Sequence, residues 1–242
     1  MLLSVENVTQ RFGELAAVND LTFDVKQGEI FGIAGPNGAG KTTVFNLISG
    51  FLHGSGRILL DGKRIDGLSP GRVARLGVAR TFQVPHPFDS MTVVQNLQIG
   101  EHFGGRGGAV AHRRPWGDLR ELLAFIGLEG KEDRPVPGLK LFDKKLTVLG
   151  AALATQPRLV MLDEAIGGLS VLEADQSLDL FRRLNKEWGI TIIMIEHLMS
   201  ALTRLCDRLL ILNNGEALRV GEPHAVVEDP TVQEVLVGVK HA

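Results

Sequence analysis

The chain has 242 residues, a formal net charge of −2, 44% hydrophobic and 22% charged residues, and a single cysteine. That is material for one sizeable domain or two lobes around a real core, and it argues against wholesale disorder. The near-neutral charge gives no electrostatic reason to expect nucleic acid, Cys206 alone excludes an internal disulfide and suits a reducing compartment, and no run of about 18 apolar residues offers a membrane span.

Taken from the N-terminus, Leu2 to Val8 and Leu21 to Val25 read as strands, with no basic-then-apolar leader ahead of them. The expectation is a soluble cytoplasmic chain whose membrane partner, if any, is a separate protein. Glu29 to Ala34 is a short apolar run fit for a buried strand, and Thr42 to Ser49 has apolar residues at helical spacing. Between them lies Gly35-Pro36-Asn37-Gly38-Ala39-Gly40-Lys41-Thr42, a complete G-x-x-x-x-G-K-[ST] phosphate loop. The glycines let successive N–H groups turn toward phosphate oxygens, and the helix N-terminus adds favourable charge. Lys41 supplies a mobile ammonium for the β- and γ-phosphates, the Thr42 hydroxyl can ligate Mg²⁺, and Thr43 extends the nucleotide-binding stretch. A strand before and a helix after make this a nucleoside triphosphate site.

Arg57 to Leu60 followed by Asp61-Gly62 reads as strand and turn, Val73 to Leu76 as a short helix, and Val78 to Phe82 as a strand. From residue 85 to 156 the pattern turns mostly helical, at Thr92 to Ile99, Trp116 to Ile126 and Leu141 to Leu153, with a glycine-rich stretch at Gly104 to Gly108. Gln83 stands where sheet gives way to this insertion. Its carboxamide oxygen can meet Mg²⁺ or the lytic water, and a hinge position there can pass that contact to the insertion; the sequence leaves this reading open. Strands return at Leu159 to Leu162, Ile190 to Ile195 and Leu209 to Leu212, with a helix at Leu172 to Lys186, an alternation that implies a largely parallel sheet. Two short helical patterns follow Gly221.

The apolar run Leu159 to Leu162 ends in Asp163-Glu164. At the C-terminal edge of a buried strand Asp163 can hold Mg²⁺, and Glu164 can accept the proton of an attacking water. The competing reading is a strand-end acid pair that caps a helix. Ile190 to Glu196 repeats the design and delivers His197, whose neutral imidazole can hydrogen-bond a γ-phosphate. Phe12 is either an adenine-stacking ring or part of the core. Phe88 and Met91 are either core or the lining of a groove for a membrane subunit's helix. His112-Arg113-Arg114 reads as a solvated loop, with contact to lipid or a membrane subunit as the rival, and His86, His102 and His112 lack metal-ligand spacing.

Together these residues resemble the nucleotide-binding subunit of ATP-binding cassette (ABC) transporters over nearly the whole chain. The order Phe12, phosphate loop, Q-loop Gln83, Walker B Asp163 and Glu164, and switch His197 carries the resemblance. Ala79-Arg80-Thr81-Phe82-Gln83, Met91 to Leu97 and Ala154-Thr155-Gln156-Pro157 are similar to the ATPases of branched-chain amino acid importers. The resemblance implies an α/β fold: a RecA-like P-loop core with an antiparallel β subdomain (1–84 and 157–221), an inserted helical subdomain (85–156) and a C-terminal extension (222–242). It implies ATP and Mg²⁺ as ligands, with Thr42, Gln83 and Asp163 toward the metal. It also implies a nucleotide-sandwich dimer with a second ATPase subunit, permease subunits, an indirect link to a periplasmic binding protein, and a peripheral place on the inner face of a membrane.

Two departures qualify it. Where the family has Leu-Ser-Gly-Gly-Gln, this chain has Leu139-Lys140-Leu141-Phe142-Asp143: bulk where a γ-phosphate needs small donors, and a carboxylate beside a polyanion. After Glu164, Ala165-Ile166-Gly167-Gly168-Leu169-Ser170 replaces the usual proline and closing aspartate. The expectation is a heterodimer: this chain's own ATP is completed by the partner's signature, while the partner's ATP meets the altered one. The rivals are a homodimer, a soluble cassette ATPase of translation or DNA repair, a regulatory module that has lost hydrolysis, and an importer ATPase for amides or urea.

Overall fold

The computed structural model describes residues 1–104 and 115–237, in two compact units: residues 1–70 with 191–242, and residues 71–190. Most of the Gly104 to Gly108 stretch and all of His112-Arg113-Arg114 lie outside the described residues.

The first unit holds two sheets. In one, β1 (Leu3–Phe12) pairs antiparallel with β2 (Leu15–Val25) and with β4 (Ser55–Leu60), and β4 pairs with the two-residue β5 (Lys63–Arg64) around Asp61-Gly62. β1 and β2 run further than their apolar stretches suggest. Gln10, Arg11 and Phe12 pair across to Val18, Ala16 and Leu15, so backbone hydrogen bonding carries the hairpin past the core-facing residues. In the other sheet β3 (Ile30–Ala34) lies between β8 (Thr191–Ile195) and β9 (Arg208–Asn213), parallel to both. Every residue of β3 and β8 is buried, as expected of strands covered on both faces. β10 (Glu216–Gly221), which apolar patterning does not reveal, joins β9 through Asn214 and Gly215, both at positive φ. The helices of this unit are α1 (Lys41–Ile48), α7 (Met199–Leu205), α8 (Pro223–Val227) and α9 (Pro230–Val237). Cys206, just after α7, is buried, and burial first, then the carboxylate of Asp207, pushes its thiol pKa up. It is an inert packing group.

The second unit pairs β6 (Val78–Arg80) in parallel with β7 (Leu159–Asp163) and adds α2 (Pro70–Arg75, of which Pro70 belongs to the first unit), α3 (Val93–Phe103), α4 (Leu119–Phe125), α5 (Leu141–Ala154) and α6 (Val171–Trp188). Local chemistry sets the helix starts. Thr92 and Gln95 form a capping box on α3, and Ser170 and Glu173 form one on α6. The Ser170 hydroxyl donates to the Glu173 carboxylate at 2.7 Å, and that bond chiefly holds the Glu173 carboxyl below its ordinary pKa. Gly189 in the left-handed region closes α6. α3 and α5 meet at Gly100, where a Cβ would stand 2.0 Å from the Ala151 carbonyl oxygen. Gly100→Ala is therefore expected to force these helices apart and to cost about 1–3 kcal/mol, read as a lowered urea midpoint at unchanged slope. Among the described residues no helix is long and apolar enough to cross a membrane.

Candidate functional site

The phosphate loop leaves the C-terminal end of β3 and feeds α1. Gly35 and Gly40 have φ of 149° and 101°, and a Cβ on them would meet the carbonyl oxygens of Leu212 at 2.1 Å and Ala17 at 2.2 Å. Neither position admits a side chain, so the loop's path is fixed by backbone packed against backbone. Gly38 also has positive φ, whereas Pro36 and Asn37 do not; Asn37 is exposed and Ala39 is buried. Gly40 caps α1 without a side-chain hydrogen bond, and the first turn carries no acidic residue, which leaves an N-terminus suited to an anion. Lys41 is buried, and its ammonium donates to the carbonyls of Gly35 at 2.7 Å and Pro36 at 2.9 Å. Thr42 is exposed and Thr43 half-buried on the same turn.

The parallel register of β3 with β8, Ile33 opposite Ile195, brings the chain after β8 out at the same sheet edge as the loop. Glu196 there is buried and His197 is exposed. Phe12, at the tip of the β1–β2 hairpin, is 50% exposed, so the core alternative for this ring is overturned. Phe88 is likewise exposed, which removes core packing for it, whereas Met91 is half-buried.

In the second unit the acid pair ends β7. Asp163 is buried and closes the strand, and Glu164 follows in the left-handed region at φ 49°. The helix-cap reading fails, because α6 is capped by Ser170 instead. The Gln83 amide donates to Glu164 Oε2 at 2.7 Å, so the residue between sheet and helical insertion does reach the acid. Two partners went unread in the sequence. Arg80 donates to Asp163 Oδ2 at 2.8 Å with both side chains only 6% exposed, and Lys145 on α5 donates to the Glu164 carbonyl at 3.0 Å. Asp163, expected simply to face a metal, thus begins from an ion pair. Arg80 sits in the motif that carries the importer resemblance, but nothing in its spacing points at a strand end 83 residues away.

The altered signature begins α5. Lys140 takes the cap position with no side-chain cap hydrogen bond, Leu139 is buried, and Leu141 is 41% exposed. Phe142 is half-buried. Asp143 corrects an expectation: its carboxylate is held by Lys131 at 2.8 and 2.9 Å and is 13% exposed. Its charge is neutralised within the chain and is not offered to a polyanion. Ser170, the last residue of the stretch that replaces the family's proline and closing aspartate, gives its hydroxyl to Glu173.

In the second unit, the carboxamide oxygen of Gln83 and the carboxylate of Asp163 are hard oxygen donors whose chemistry suits a divalent cation of the magnesium kind, and in the first unit Thr42 carries a hydroxyl on the exposed first turn of α1. Among the described residues no group of three His, Cys, Asp or Glu side chains could hold a metal. Mg²⁺ favours such a partial donor set, completed by water and phosphate oxygens.

The family model described as "ABC transporter" matches residues 18–167. The chain is 34% identical over 249 residues to the high-affinity branched-chain amino acid transport ATP-binding protein BraF of Pseudomonas aeruginosa, covering 98% of each. It is 35% identical, with the same coverage, to LivG of Escherichia coli, described by the same function. A crystal structure of the ADP conformation of an ATP-binding cassette of an ABC transporter superposes with a TM-score of 0.87 at 32% identity, covering 98% of this chain and 99% of that one. The architecture is accordingly the RecA-like P-loop fold anticipated from the motifs.

Proposed function

The chain belongs to the ABC transporter family of ATP-binding subunits, and from that premise we propose that it hydrolyses Mg-ATP to drive an importer of a small solute, in the first place branched-chain or other amino acids. The observation that carries hydrolysis is Glu164: its carboxylate rests on the Gln83 amide and its carbonyl on Lys145, a base held from two sides. The loop N–H groups and Lys41 bind the triphosphate tail and stabilise charge on the transferring phosphoryl group. Glu164 accepts a proton from the attacking water, the water oxygen bonds to the γ-phosphorus, and the bond to the β-γ bridging oxygen breaks. His197 hydrogen-bonds the γ-phosphate, and Phe12 stacks on the base. Thr42, Asp163 and the Gln83 carboxamide oxygen would hold Mg²⁺, which when bound neutralises charge on the β- and γ-oxygens.

In this reading two ATPase subunits close head to tail over ATP beneath two permease subunits, with a periplasmic binding protein delivering the solute. The chain lies peripherally on the inner face of the membrane. The signature positions support a heterodimer: bulky Leu141 and Phe142 and a cap without a side-chain donor serve the partner's ATP poorly, while this chain's own loop, Asp163, Glu164 and His197 keep the chemistry. The same positions favour the second reading, a nucleotide-binding module without hydrolysis. Phosphate release by the purified chain, alone and with the cassette subunit encoded beside it, separates them. The complex is expected to turn over at least about tenfold faster than the lone chain, since the missing γ-phosphate donors come from the partner. Equal rates would overturn the asymmetry, and no release from the complex would overturn hydrolysis. Genes for a binding protein and permeases beside this one, and uptake of amino acids rather than amides or urea by the assembled complex, test the cargo.

A further inference from the structure

The last residue of β6 and the segment that follows it grip the acid pair at two points. Arg80 holds Asp163 and, three residues on, Gln83 holds Glu164. Arg80 occupies the last paired position of β6, opposite Met161, and the Thr81 amide continues the ladder to the Met161 carbonyl at 2.9 Å. Its guanidinium lies between two acceptors of positive charge: the Asp163 carboxylate at 2.8 Å and the face of Phe82, whose ring centroid is 4.8 Å from Cζ. Phe82 is 45% exposed, so this second acceptor borders solvent.

We propose that Arg80 is a positioning residue that occupies the Asp163 carboxylate in the metal-free chain and sets how tightly a divalent cation is held there. The inference rests on the reading of Asp163 as a metal ligand. A guanidinium and a divalent cation on one buried carboxylate repel each other across a medium that screens poorly. Binding of either therefore weakens the other by the same factor. Arrival of the cation loosens the Arg80 ion pair and shifts the guanidinium toward the Phe82 ring. Without a cation, Arg80 spares the protein an uncompensated buried carboxylate. It serves as a placeholder for the metal.

The test is Arg80→Met, which keeps an unbranched stem and removes the charge. Mn²⁺ binding to the ADP-saturated chain is followed by the loss of the free-ion electron paramagnetic resonance signal, and melting temperature is recorded in EDTA and in Mn²⁺ with ADP. The variant is expected to melt lower than the parent in EDTA, to recover most of that gap with Mn²⁺ and ADP, and to bind Mn²⁺ about tenfold more tightly. A purely structural Arg80 predicts unchanged or weaker Mn²⁺ binding, and either result overturns the proposal. Should Arg80→Met fail to fold, Arg80→Gln carries the test: its amide keeps a hydrogen-bond donor for the Asp163 carboxylate without the charge, and tightening in the same direction is required. Binding of a fluorescent ADP analogue in EDTA reports on the nucleotide site by itself. Normal analogue binding with no tightening of Mn²⁺ sinks only the Arg80 inference; no analogue binding sinks the proposed function and this inference with it.

Discussion

Glu164→Gln is expected to leave ATP binding intact and to slow hydrolysis by about 10²–10⁴-fold, the usual contribution of a positioned general base. The substitution is informative because so little else should change. Glutamine has the same length and can accept the Gln83 amide hydrogen bond, now 2.7 Å long, through its own carbonyl oxygen. The Lys145 contact is to the main chain and survives any side-chain exchange at this position. The left-handed backbone at φ 49° tolerates glutamine about as well as glutamate, since neither is β-branched. What disappears is the capacity to take a proton from water. ATP retention on the purified chain and phosphate release by the complex, measured side by side, would show the two effects diverging. Turnover close to the parent's would remove Glu164 from the base role and pass the proton to His197 or to the phosphate itself.

The parts of the site that could be read from the chain are those set by buried parallel strands. β3, β7 and β8 are covered on both faces, so their residues form unbroken apolar runs, and whatever follows such a run emerges at a sheet edge. That is how the phosphate loop, Asp163-Glu164 and His197 were locatable without coordinates. Half-exposed strands were harder. β10 carries Glu216, Arg219 and other exposed residues, and only the Asn214-Gly215 turn marks it. β1 and β2 extend through polar residues whose pairing is a matter of backbone, not of patterning. The long-range polar partners were not legible at all. Arg80 with Asp163, and Lys145 with Glu164, are separated by 83 and 19 residues, and an ion pair leaves no periodic trace in either segment. Charge alone also misleads: Asp143 looked like a repulsive group because its neutralising partner, Lys131, lies on a connecting loop ahead of the helix.

Lys41→Met is expected to weaken binding of ATP and ADP about 10²-fold or more, because each hydrogen bond from a charged donor contributes about 1.5–3 kcal/mol and the ammonium reaches two phosphates. Its resting contacts explain why the fold should survive. The ammonium donates to the carbonyls of Gly35 and Pro36, which belong to the loop it serves, so its contacts hold the loop to itself and not to the rest of the fold. In the proposed role of Lys41, phosphate oxygens carrying full charge replace those two carbonyls, an exchange expected to be favourable because charge-assisted bonds are the stronger. Methionine fills the same buried channel with an apolar stem and leaves two carbonyls without their donor, while the collisions that fix Gly35 and Gly40 still hold the loop's course. Lys41→Arg is not expected to rescue binding: a planar guanidinium presents a wider fork than this backbone cradle was shaped around. Calorimetric titration with ADP checks both variants, with melting in the absence of ligand as the control. Parent-like affinity in Lys41→Met would mean that the loop's amides alone hold the phosphates, and the ammonium would have to be assigned to the transition state instead, where only turnover could reveal it.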